Sequence, residues 1–206
     1  MGNTVITIAR GYGSGGRTLG KLLAKELGMN CYDRELIRMA SDESGINEAL
    51  FGEVDERLKK SPLFRIVKKT YNGEVIPPDS GEFVSDDNLF NYQAKVIKQL
   101  AEEESCVIIG RCADFILKDF DNVISLYFYA PKEDCIRRVQ EISSEPVKEI
   151  EKKIARIDKY RADYYKYYTG KDWNDARNYD FCLNTTSMSY EKLVEAVKSY
   201  IDICRK

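Results

Sequence analysis

Residues 4–18 read TVITIARGYGSGGRT, and the fold turns on how this stretch is understood. A β-branched run, TVITIAR, feeds a glycine-dense loop, GYGSGGRT, and the loop ends where a helical pattern begins. Strand, glycine loop and helix in that order is how a parallel α/β domain holds phosphates. Loop N–H groups turn inward, and the helix N-terminus adds a positive partial charge. Side chains in the loop would block both the turn and the close approach of a phosphate.

Two motifs overlap in the loop. Gly11, Gly16, Arg17 and Thr18 have the G-x-x-x-x-G-K-[ST] spacing, with arginine in place of lysine. Gly11, Gly13 and Gly16 also satisfy the dinucleotide pattern G-x-G-x-x-G, in which Asp33 would bind a ribose hydroxyl. Arg17-Thr18 finds a use only under the first motif: Thr18 would coordinate Mg²⁺, and Arg17 would bring charge to the terminal phosphates. A plain turn without ligand is the third reading, at the stability cost of clustered glycines.

Outward from the loop, strands and helices alternate. Leu19, Leu22, Leu23 and Leu27 recur at helical spacing and Gly28 stops that helix. NCYD at 30–33 is a second strand, and a helix begins at Arg34. The pattern loosens over 41–91, with a helix expected at 47–58, a break at Ser61-Pro62 and turns near Gly73 and Gly81. Ser85 can cap a helix whose apolar face holds Tyr92, Val96, Ile97 and Leu100. CVII at 106–109 reads as a strand buried on both faces, and VISLYFYA at 123–130 as a fourth. A helix after Pro131, a long tyrosine-rich charged segment over 145–170, a strand at 179–184 and a last helix complete the chain. Such alternation favours a parallel sheet covered on both faces, with ligands at the C-terminal strand ends. Arg10 to Arg17, Asp33-Arg34, Gly110-Arg111 and the segment after Asn184 fall at those ends.

Composition narrows the chemistry. The 206 residues can bury one substantial core. A net charge of -2 argues against a broad nucleic-acid or anionic-membrane surface. The chain has no histidine, which excludes histidine triads and histidine-containing zinc sites. Six cysteines with no C-x-x-C read as small apolar residues in a reducing compartment. With no signal peptide or membrane-length apolar run, a soluble cytoplasmic protein is expected.

Phosphoryl transfer needs positive charge around the transferred group and little covalent chemistry, so the missing histidine is no obstacle. Arg34, Arg38 and Arg111 lie on the expected acceptor side. Arg137, Arg138, Arg156 and Arg161 lie in or beside the late charged segment, which could close as a lid and exclude water. Each arginine could instead lie on a solvated helix face; Arg161 stands three residues from Asp158, an ion-pair spacing. The tyrosines at 160, 164, 165, 167 and 168 could stack nucleic-acid bases, but a helix packing its phenol rings on the domain fits the balanced charge better.

Together, ITIARGYGSGGRTLGKLLAKELG, CYDRELI, VIIGRCADFIL and the closing NYDFCLNTTSMSYEKLVEAV resemble the cytidylate kinase-like family of P-loop proteins, almost end to end. The resemblance implies a single α/β P-loop NTPase domain over 1–206, with a five-stranded parallel sheet of order 2-3-1-4-5. The dinucleotide fold would have the order 3-2-1-4-5. It further implies a helical acceptor-binding insertion over 41–91 and a lid over 144–175. ATP phosphates would lie on Gly11, Gly13, Ser14, Gly15, Gly16, Arg17 and Thr18, with Mg²⁺ on Thr18. Arg17, Arg156 and Arg161 would stabilise the transferring charge. Asp33, Arg34, Arg38 and Arg111 would bind the acceptor, a nucleoside monophosphate and most readily CMP or dCMP. The family's base-reading aspartate is replaced here by Cys112, and the nearest acid is Asp114. A nucleotide-binding module without catalysis is the alternative that the missing lysine suggests.

Overall fold

The computed structural model describes residues 3–51 and 73–204. Five parallel strands form one sheet: β1 (Val5–Arg10), β2 (Asn30–Tyr32), β3 (Cys106–Ile109), β4 (Val123–Tyr129) and β5 (Phe181–Asn184). Their order is β2-β3-β1-β4-β5, which is that of the kinase reading and not the dinucleotide fold. β1 is central, with Ile6 opposite both Val107 and Ile124.

Side-chain alternation along β1 feeds two cores. Ile6 and Ile8 join Val107, Ile109, Leu126 and Phe128 beneath α1 (Gly16–Leu27) and the C-terminal helix, Tyr190–Cys204. Gly20 lets α1 lie close to the sheet, since a Cβ there would stand 2.9 Å from Ile8 Cδ1. Gly28, at φ 65°, ends α1 in the left-handed conformation. Val5 and Ala9 face the other core, covered by α2 (Glu35–Ser44), α3 (Asp86–Glu103) and the short α4 (Ala113–Ile116). Ser85 caps α3 by accepting from the Asn88 N–H at 3.3 Å. Asn88 in turn pins the preceding loop, accepting from Ile76 N–H at 2.7 Å and donating to the Phe83 carbonyl at 2.7 Å.

Beyond β4, α5 (Lys132–Gln140) and the long α6 (Val147–Thr169) cross one another, and Tyr190–Cys204 is α7. Pro131 precedes α5 as its N-cap. In α6 the tyrosines face inward: Tyr164, Tyr165 and Tyr168 are buried, and Tyr168 stacks on Phe90 of α3 with ring centroids 3.8 Å apart. Those three rings are therefore unavailable as a nucleic-acid stacking surface. The expected helix at 47–58, the Ser61-Pro62 break and the Tyr71-Asn72-Gly73 turn lie wholly or partly outside the described residues. No described helix is long and apolar enough to cross a membrane. All six cysteines are free; Cys106, Cys112 and Cys135 are buried, while Cys204 is exposed.

Candidate active site

The C-terminal ends of β1, β2 and β3 open into a cavity of about 820 Å³. The glycine loop forms one wall. Ser14 is buried, with its hydroxyl donating to the Gly11 carbonyl at 2.8 Å and accepting from Gly16 N–H at 3.3 Å. Gly13 and Gly15 take φ of 75° and 79°. A Cβ on Gly13 would lie 2.8 Å from the Cys135 carbonyl oxygen, and one on Gly15 2.2 Å from the Tyr190 hydroxyl. Both positions need glycine for conformation and for space. Thr18, in the first turn of α1, is exposed and lines the cavity.

Arg17 stands at the mouth, its Nε 2.6 Å from Asp33 Oδ2. It is thus engaged by the carboxylate at the end of β2, with about half its side chain in solvent. Arg34 and Arg111 line the cavity; Arg38, exposed on α2, is not part of the lining. Gly110, Arg111 and Cys112 take φ of 77°, 61° and 55° in succession. Left-handed backbone costs a side-chain-bearing residue about 1–2 kcal/mol. Strain of this kind collects at functional turns, and here it aims the residues that follow β3.

From α6, Arg156 and Arg161 both reach the cavity. Arg156 is exposed, whereas Arg161 donates to the Arg10 carbonyl at 3.0 Å and pairs with Asp158 at 3.3 Å. The ion pair read from the three-residue spacing is therefore real, and Arg161 also docks onto β1. Asp158 accepts from Tyr12 N–H at 2.8 Å, so α6 is tied to the start of the glycine loop. Burial raises the Asp158 carboxyl and lowers the Arg161 guanidinium, each moderated by the other.

The far end of the cavity is aromatic. Tyr164, Tyr165 and Trp173 line it together with Asp114, whose Oδ2 accepts from the Tyr165 hydroxyl at 2.6 Å. Burial pushes the Asp114 carboxyl up to about 6, against the pull of that hydrogen bond. Cys112, the neighbour that replaces an expected acid, is buried and its thiol is held well above the usual range by desolvation.

Two arginines noted by position but given no role, Arg138 beside the late charged segment and Arg10 at the end of β1, belong to the cavity. Arg138 donates to the Ser14 carbonyl at 2.6 Å, to Thr185 Oγ1 at 2.9 Å and to the Thr185 carbonyl at 2.8 Å. Its neighbour Arg137 points outward to Asp134. The i, i+3 spacing from buried Cys135 separates the two. Arg10, the last residue of β1, also lines the cavity and lies 3.8 Å from Asp33 Oδ1. It shares the strand face of Ile6 and Ile8, which was the available signal.

No cluster of three or more metal-ligating side chains occurs among the described residues. The Thr18 hydroxyl on the cavity wall would suit a Mg²⁺ carried largely by nucleotide phosphates and water, not one held in a protein cage.

Comparison with known proteins agrees with the fold. A model described as the cytidylate kinase-like family matches residues 5–187. A cytidylate kinase of Pyrococcus horikoshii is 26% identical over 199 residues, covering 96% of this chain and 88% of its own. Among solved structures, an uncharacterized protein from Eubacterium ventriosum superposes with TM-score 0.70 at 26% identity, covering 97% of this chain and 99% of its own. A shikimate kinase from Bacteroides thetaiotaomicron shares the fold, with TM-score 0.56 at 13% identity over 97% and 98% of the two chains.

Proposed function

The chain belongs to the cytidylate kinase-like family, and from that premise we propose that it transfers the γ-phosphoryl group of Mg²⁺-ATP to a nucleoside monophosphate, CMP or dCMP. One observation carries the reading: the glycine loop, the β2 and β3 ends and α6 turn their arginines into a single cavity of nucleotide-binding size. Gly11, Gly13, Ser14, Gly15 and Gly16 cradle the donor phosphates, with Thr18 on the Mg²⁺ they carry. Arg34 and Arg111 hold the acceptor phosphate, and the aromatic end around Asp114 receives its base. An acceptor phosphate oxygen attacks the γ-phosphorus in line. The bond to the β,γ-bridging oxygen breaks, and ADP leaves with that electron pair. Arg17, Arg156 and Arg161 spread the charge of the transition state, and no protein base is required. Mg²⁺, when bound, neutralises charge on the β- and γ-oxygens.

An ADP-release assay over all common monophosphates tests this. CMP or dCMP turnover well above the other bases is expected. No turnover of any monophosphate, with ATP binding intact, overturns it. The engagement of Arg17 by Asp33 favours a second reading, a nucleotide-binding module without transfer. ATP affinity by calorimetry without single-turnover transfer would select it.

A further inference from the structure

Arg10 is built into the cleft at some expense. A Cβ on Gly16 would stand 2.7 Å from Arg10 Cβ, and one on Gly110 would stand 2.3 Å from an Arg10 terminal nitrogen. The arginine stem therefore passes the start of α1, and its guanidinium reaches the β3 turn. Gly16 and Gly110 both make room for this side chain. At the end of that path the guanidinium donates no hydrogen bond to a described residue. Its nearest carboxylate, Asp33, is 3.8 Å away and is already met by Arg17 at 2.6 Å. Arg161, Arg111 and Arg17 all oppose the Arg10 charge, while Asp33 favours it. Desolvation and these neighbours press Arg10 down to about 9, which leaves it charged at neutral pH. A partly buried guanidinium whose five donors meet no described acceptor in hydrogen-bond range is costly to keep. It is what a planar fork awaiting an oxyanion looks like.

We infer that Arg10 is a phosphate-binding residue on the cavity floor, taking an oxyanion held between the glycine loop and the Gly110-Arg111 turn. That position lies between the donor and acceptor walls. The identification of the anion as the phosphate shared by both nucleotides rests on the phosphoryl-transfer reading. Arg10 then supplies, from the strand end, a cation in addition to Arg17, whose Nε is met by Asp33.

The test is thermal unfolding in phosphate-free, low-salt buffer, titrated with inorganic phosphate and with pyrophosphate. The wild-type midpoint should rise with either anion. Arg10→Met should bind at least tenfold more weakly, and without anion should be no less stable than the wild type. A wild type indifferent to both anions, or an Arg10→Met variant with the wild-type response, overturns the inference. If Arg10→Met does not fold, Arg10→Lys decides, because one ammonium cannot replace a two-pronged donor. At least threefold weaker binding supports the assignment, and wild-type affinity overturns it. The kinase reading fails separately: a wild type that binds phosphate through Arg10 but turns over no monophosphate would sink the reaction and leave the anion site standing.

Discussion

Among single side chains, Asp114 is the acid whose charge the folded protein opposes most clearly, with its carboxyl raised from 3.8 to about 6. The sign follows from which state holds the proton. Between those two values the unfolded chain has ionised and the folded one has not, so stability falls as pH rises through the window. Above about 6 the full penalty is present, and below 3.8 it vanishes. Asp114→Asn keeps an oxygen for the Tyr165 hydroxyl and removes the charge. It should stabilise the protein at pH 7 by on the order of 2 kcal/mol, with the gain fading towards pH 4. Urea unfolding of both proteins across that range measures it. Asp114 thus lowers stability from within the cavity wall, the setting in which a perturbed acid is a candidate for a functional role. Its neighbourhood was partly legible: distance along the chain pointed to Asp114 as the acid nearest Gly110-Arg111, but not to the Tyr165 hydroxyl, which comes from 51 residues away. Arg10 was legible only by its place at the end of β1, for a related reason. Strand periodicity gives a face, yet only the packed turn at Gly110 shows where a long side chain on that face ends.

At the level of elements, alternation made a parallel sheet readable, while its strand order followed from the family resemblance, since alternation alone also allows the dinucleotide order. The way helices brace the glycine loop was not readable. Three of them do so from far along the chain: α5 through Arg138 to the Ser14 carbonyl, α6 through Asp158 to Tyr12 N–H, and α7 through Tyr190 against Gly15. Each joins residues more than a hundred positions apart, beyond any periodic signal. The last brace gives a sharp expectation. Gly15→Ala should lose more than about 2 kcal/mol of stability, combining left-handed strain with the collision against the tyrosine hydroxyl. Removing that hydroxyl with Tyr190→Phe should recover part of the loss, while about 1 kcal/mol of backbone strain persists. A double-mutant cycle on denaturant midpoints separates the two; equal losses in both backgrounds would show that Tyr190 does not press on the loop.

For the molecule as a whole, charge is segregated. The chain carries a net -2, yet the cavity gathers arginines from six elements or their ends: β1, the α1 start, the α2 start, the β3 turn, α5 and α6. The composition suggested neutrality, and only folding brings these residues together. Binding of ATP or CMP should therefore weaken several-fold between about 0.05 and 0.5 M salt, as screening shortens from beyond to well below 10 Å. Calorimetry at two salt concentrations reads it, and salt-independent affinity would mean that the arginines are spent on internal carboxylates. The aromatic end has a different consequence. Trp173 is the chain's one tryptophan, and it lines the cavity with its ring edge-on to Tyr127 at 5.7 Å. Its carbonyl accepts from the Tyr179 hydroxyl, and Tyr179 in turn lies beside the Asp114–Tyr165 pair. The protein thus has a single indole, at the end of the cavity proposed to receive the base. Its emission reports occupancy of that end without a label, and no second indole obscures the signal.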